Sequence, residues 1–168
     1  MDTFLAIASL RAVREYADRP LSEDSIGRIL EAARATGSSQ NKQPWRFYVV
    51  GSQALRERLA EAVYAPENLR RCALAVAIAM TSKSGFDAGR VAQDMMLAAW
   101  DDGIGSVPNG IRGPERVAEI LALSDAEAVA TILSFGYPAH ARGPVSDAES
   151  HLGRIKRKPV EELVVRLD

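Results

Sequence analysis

Ser38-Ser39-Gln40-Asn41-Lys42-Gln43-Pro44-Trp45 links a helical pattern to a strand pattern, and its reading decides the fold. Before it, Ile26, Ile29, Leu30 and Ala33 recur at helical spacing. After it, Trp45-Arg46-Phe47-Tyr48-Val49-Val50 reads as a strand that stops at Gly51. Gly37 is the expected helix C-cap, and Pro44 is expected to hold Gln43 extended at the mouth of the strand. Such a linker gathers backbone N–H groups, hydroxyls and carboxamides on the rim of a sheet. Those groups suit a flat heterocycle rich in donors and acceptors. An ordinary exposed polar loop has the same composition.

The chain has 168 residues, read as one domain over 1–168 with enough length to bury a core. A net charge of -1 argues against a nucleic-acid or anionic-membrane partner, which calls for a basic excess. Cys72 is the single cysteine, so no intramolecular disulfide can form. The apolar run Cys72–Met80 is far too short to span a bilayer. The start Met1-Asp2-Thr3 lacks the basic opening of a signal peptide, and the expected location is cytoplasmic.

Thr3 is the expected cap of a first helix with Phe4, Ile7, Leu10 and Val13 on one ridge, placing Arg11 and Arg14 a turn apart. Ser22 caps a second helix that runs to about Ala35, and Ser52 caps a third carrying Leu55, Leu59 and Val63. Cys72–Met80 reads as a buried central strand, followed by a helix from about Phe86 to Asp102. The middle of that helix, with Met95, Met96 and Trp100, is apolar around most of its circumference. It needs cover on several sides, within the domain or from a second subunit. Pro114 starts a short helix through Leu121, and Ala128–Phe135 is a second buried strand. Ala139–Ser150 reads as a loop. The pattern is a sheet sandwiched between helices.

No catalytic side chain stands out. His140 and His151 lack partners at metal-ligand spacing, so no metal site is expected. No Gly-x-Ser-x-Gly elbow or phosphate loop is present, and the glycines of Gly103-Ile104-Gly105 follow a helix where a dinucleotide fingerprint follows a strand. Polar cradles without an acid, base or nucleophile fit a protein whose chemistry comes from a bound cofactor, or one with no chemistry.

Arg11-Ala12-Val13-Arg14-Glu15-Tyr16, then Ser38–Trp45 before a strand, resembles the nitroreductase family of FMN-dependent oxidoreductases. The resemblance continues through Ala92–Ala99 with Gly103-Ile104-Gly105-Ser106, then Phe135-Gly136-Tyr137-Pro138, and ends in Arg157–Leu163. It implies an α+β fold: a three-layer α/β/α sandwich, dimeric, with a mixed, mostly antiparallel sheet. It also implies an FMN cofactor and a homodimer that uses NAD(P)H to reduce nitroaromatics, quinones or similar flat aromatic acceptors. On the same basis Arg11, Arg14 and Arg157 are candidates for the FMN phosphate, a role that suits the bidentate guanidinium. Ser38, Ser39, Asn41 and Gln43 correspond to the loop along the ribityl chain and ring edge. Pro108, Asn109 and Gly110 fall where the family brings backbone near the reactive side of the ring, and as a sequence they are also plain turn chemistry.

Two features depart from the family. Leu10 and Ala12 stand where a basic and a hydroxyl residue are usual, leaving Arg154 and Lys156 as substitutes at hand. Only Thr81–Gly85 separates the central strand from the long helix, where many members carry a long helical insertion over the substrate. Competing readings are another flavin branch (dehalogenation, heterocycle oxidation or flavin breakdown) and a flavin-binding dimeric module without turnover.

Overall fold

In the computed structural model, which describes residues 2–140 and 148–167, strand β2 (Leu74–Met80) is buried at every position. The remaining strands order themselves around it. Strand β1 (Trp45–Val50) lies antiparallel on one side, with Trp45 opposite Met80. Strand β4 (Ala128–Gly136) lies antiparallel on the other, with Leu74 opposite Phe135, and β3 (Gly105–Asn109) forms the outer edge beside β4. The order is β1-β2-β4-β3. All pairs in the sheet are antiparallel, and the parallel element is an isolated bridge between Ala12 and Ser106.

Alternation along β2 explains its uniform apolarity, because each side chain meets a helical layer. Leu74, Val76, Ile78 and Met80 pack with Ile29 and Ala33 of α2 (Glu23–Ala35) and with Val91, Met95 and Ala99 of α5 (Gly85–Asp101). Ala75 and Ala77 face the opposite layer. There they pack with Leu59 of α3 (Gln53–Ala60), Leu69 of α4 (Pro66–Arg71) and Val117 of α6 (Pro114–Leu121). Each large apolar side chain buried in this way contributes about 1.5–3 kcal/mol. Ser22, Ser52 and Ser84 cap α2, α3 and α5 by accepting from backbone N–H groups of the first turn, worth about 1 kcal/mol each. The result is the expected α+β three-layer sandwich.

The first helix departs from expectation. α1 (Thr3–Ser9) is capped by Asp2, not Thr3, and ends at Leu10. Phe4 and Ile7 are exposed at 58% and 53%, whereas Val13 is buried away from them. Residues 11–16 are not helical, so Arg11 and Arg14 do not share a helix face. The backbone exchanges helical bonds for tertiary ones: Val13 N–H donates to Ser106 O at 2.9 Å and Ala17 N–H to Tyr137 O at 2.8 Å.

Other boundaries also shift. Thr36, in an extended conformation, caps α2 in place of Gly37. The central strand begins at Leu74, since Cys72 closes the short helix α4. Pro108 and Asn109 belong to strand β3, not to a turn. Residues 141–147 of the expected Ala139–Ser150 loop lie outside the described residues, and from Ala148 the chain forms α7 (Ala148–Leu152). α8 (Val160–Leu163) follows, with Val160, Leu163, Val165 and Leu167 exposed. No helix among the described residues is long and apolar enough to cross a membrane.

Candidate functional site

The segment carrying Arg11 and Arg14 lies across the end of the sheet where β4 finishes and β3 begins. Two glycines let it approach. A Cβ at Gly105 would collide with Val13, and one at Gly136 would stand 2.7 Å from the Tyr16 ring. The Tyr16 hydroxyl then donates to Val13 O at 2.7 Å and to Ser134 O at 3.3 Å. Burial holds the phenol far above its ordinary pKa, so it remains a neutral donor. Ala12 bridges to Ser106 on the β3 edge. Arg11 is half-buried and donates to Leu10 O at 2.6 Å, and Arg14 is exposed.

At the other end of the sheet, Ser38–Gln43 enters β1. Ser39–Asn41 forms a single 3-10 turn, and Gln40, Asn41 and Gln43 all take positive φ, at 54°, 54° and 48°. The expected extended Gln43 is therefore replaced by a left-handed residue. The cost is of order 1–3 kcal/mol per residue, so the surroundings must hold the shape. Gln43 N–H donates to Ser38 Oγ at 2.7 Å, and Gln43 Nε2 to Asn41 O and Oδ1 at 3.2 Å each. Buried Pro44 anchors the loop, its carbonyl accepting from Thr81 N–H at 2.9 Å. Ser39, Asn41 and Gln43 are exposed, and Ser38 is half-buried. On the α2 side, the Arg90 guanidinium of α5 rests against Gly37, and Thr36 Oγ1 donates to Asp94 Oδ2 at 2.8 Å.

One chain does not bring these two groups together. The loop precedes Trp45 at the start of edge strand β1, while Ala12 sits at Ser106 near the start of the opposite edge strand β3. Register places the two at diagonal corners of the sheet, roughly 25 Å apart.

Pro108 and Gly110 are exposed at the β3 edge. The Asn109 side chain turns inward, accepting from Asn68 Nδ2 at 2.9 Å and donating to Ile132 O at 2.9 Å and Ser134 Oγ at 2.7 Å. Toward a ligand it offers backbone, not its carboxamide. Arg157 is exposed, donating to Lys156 O at 3.2 Å. α7 packs on α1, the helix that leads into Arg11, so the basic segment 154–158 leaves α7 on the same flank of the molecule.

Gly105, Gly136 and Tyr16 were not among the expected site residues, although all three fall within the motifs quoted above. The available signal was Gly136, a glycine at the end of a readable strand, which marks close backbone approach; Gly105 lies in a strand whose pattern Pro108 hides. Among the described residues no three His, Cys, Asp or Glu side chains converge as metal ligands.

The sequence pattern of the nitroreductase family matches residues 7–71 and 67–137. An Archaeoglobus fulgidus protein named NADH dehydrogenase/NAD(P)H nitroreductase is 30% identical over 144 residues, covering 79% of this chain and 83% of its own. The crystal structure of a Streptococcus pneumoniae nitroreductase family protein superposes with a TM-score of 0.83 at 19% identity, covering 99% of this chain and 100% of its own. A nitroreductase-like structure from Desulfovibrio desulfuricans, in complex with FMN, superposes with a TM-score of 0.81 at 25% identity, covering 100% and 98%.

Proposed function

The chain belongs to the nitroreductase family, and from that membership we propose an FMN-dependent homodimeric oxidoreductase that uses NAD(P)H to reduce nitroaromatics, quinones or similar flat acceptors. The observation that carries this reading is the diagonal separation of the two polar groups. Arg11 and Arg14 supply charge suited to a phosphate, and Ser38–Gln43 supplies hydroxyls, carboxamides and strained backbone suited to a ribityl chain and ring edge. FMN needs both kinds of contact. A second copy of the chain, related by a twofold axis, brings the loop of one subunit to the arginines of the other. Phe4, Ile7, Val160, Leu163, Val165 and Leu167, exposed in the single chain, are the apolar surface such a dimer covers.

In this arrangement Arg11 and Arg14 bind the phosphate, with Arg157 joining them from the same flank. Ser38, Ser39, Asn41 and Gln43 orient the ring, and the backbone at Pro108–Gly110 approaches its reactive side. Bound there, the isoalloxazine supplies two-electron redox chemistry between NAD(P)H and the acceptor, so the chain needs no acid–base pair of its own. Four residues, 81–84 by number, separate β2 from α5, which leaves little structure over the acceptor and favours broad tolerance of flat aromatics.

The test is a visible spectrum of the purified protein together with its mass by light scattering. Bound flavin that is fully released as FMN on denaturation, in a dimer, supports the reading. A colourless protein that takes up no FMN in titration overturns it.

A further inference from the structure

A cleft of about 420 Å³ opens where Tyr16–Pro20 passes the ends of α3 and α4. It shares no residue with the Arg11–Arg14 pair or the Ser38–Gln43 loop. Four guanidinium groups line it, from Arg19, Arg56, Arg70 and Arg71, against one carboxylate, Asp18.

Arg56 is the unusual member. It is only 7% exposed, yet its bonds go to neutral acceptors: Nη1 to Gly51 O and Ala73 O, and Nη2 to Gln53 Oε1. Its Nε is buried without a partner, and no carboxylate pairs with Arg56 among the described residues. A buried cation normally has a countercharge, since desolvation makes an unpaired one costly. The other three can reorganise. Arg70 and Arg71 share Glu57 and Glu67 in solvent-exposed ion pairs of 2.9–3.1 Å, a type worth about 0–1 kcal/mol and readily exchanged. Arg19 lies over the Tyr137 ring at 3.8 Å, which leaves the edge of its guanidinium for an anion.

We infer that this cleft binds a phosphorylated small molecule of nucleotide size, whose phosphates take the countercharge position that Arg56 lacks. Guanidinium clusters recognise phosphate oxygens bidentately. The volume exceeds what orthophosphate fills and lies within the range of small-ligand pockets. Binding here does not depend on the flavin reading: Tyr16 borders both places, but the four guanidinium groups are distinct from Arg11, Arg14 and the Ser38–Gln43 loop.

The experiment is isothermal titration of the purified protein with inorganic pyrophosphate and with ADP, the ADP titration run with and without saturating pyrophosphate. The proteins compared are the wild type, an Arg19→Ala/Arg71→Ala double variant of exposed rim positions, and Arg14→Ala. The expected result is saturable ADP binding that pyrophosphate competes away, at least tenfold weaker in the double variant and unchanged in Arg14→Ala. Three results would overturn the inference: no saturable binding of either probe at millimolar concentration, binding that survives intact in the double variant, or binding lost with Arg14.

Discussion

Val13 occupies the space above Gly105 that any larger residue there would need, its Cγ1 standing 2.8 Å from the position of a Cβ. That contact lays the Arg11–Tyr16 segment on the sheet. Gly105→Ala therefore lifts the segment, at a cost of about 1–3 kcal/mol in stability from overpacking. It should also weaken FMN binding roughly tenfold or more, by moving both arginines through a distance that matters for charge-assisted hydrogen bonds. Gly27→Ala is the control: nothing lies within 4 Å of its Cβ position in α2, so it should be neutral or stabilising by about 0.5–1 kcal/mol. Thermal unfolding and flavin titration of both variants decide the matter.

Arg14→Ala should weaken FMN binding by about 1.5–3 kcal/mol, the scale of a hydrogen bond to a charged group. Leu10 and Ala12 contribute neither a charge nor a hydroxyl, so few groups remain to share the phosphate. An unchanged dissociation constant in a folded variant would make Arg14 a surface residue.

These two substitutions also mark what the sequence made legible. β1, β2, β4, the serine-capped helices α2, α3 and α5, and α6, which opens on Pro114, could be read directly, because each combines a clear period with a punctuating Ser, Gly or Pro. The Arg11–Tyr16 segment could not. Its local pattern continues a helix, and the helix is abandoned for tertiary bonds to Ser106 and Tyr137 that glycines distant in sequence make possible. β3 was hidden by Pro108, which an outer strand tolerates because a missing N–H costs nothing where no further strand pairs. Six-residue α4 is too short to show a period. At Gln43 the proline rule excluded the right-handed region, and hydrogen bonds to Ser38 and Asn41 selected the left-handed one. The candidate residues were readable by motif, but their separation to opposite corners of the sheet needed the strand order.

That separation makes the oligomer testable. Deleting residues 160–168 removes Val160, Leu163, Val165 and Leu167, the largest run of exposed apolar side chains. Light scattering should show a shift from dimer toward monomer, with flavin lost in parallel. Mixed dimers of Arg14→Ala with Ser38→Ala chains should recover one intact site in two. A full-length monomer with complete flavin occupancy would contradict the shared site.

Stability should fall on the alkaline side. Burial pushes the Cys72 thiol up to about 11, from an ordinary value near 9, and also raises the Tyr16 phenol. Both groups are held neutral in the fold, so the unfolded chain loses their protons first. The contribution of Cys72 is therefore complete below about pH 9 and is lost as pH rises through about 11. It amounts to about 2–3 kcal/mol. Urea unfolding at pH 7, 9 and 11 should show this slope, and Cys72→Ala should flatten part of it. The native thiol should resist alkylation at neutral pH.

The most direct measurement is anaerobic stopped-flow mixing of the FMN-loaded protein with NADH and, separately, NADPH, followed by a nitroaromatic or a quinone. At least one nucleotide should bleach the flavin absorbance and the acceptor should restore it, with ping-pong kinetics in steady state because donor and acceptor use one site in turn. Flavin that neither nucleotide bleaches would contradict the reductase reading and leave the protein to another flavin chemistry.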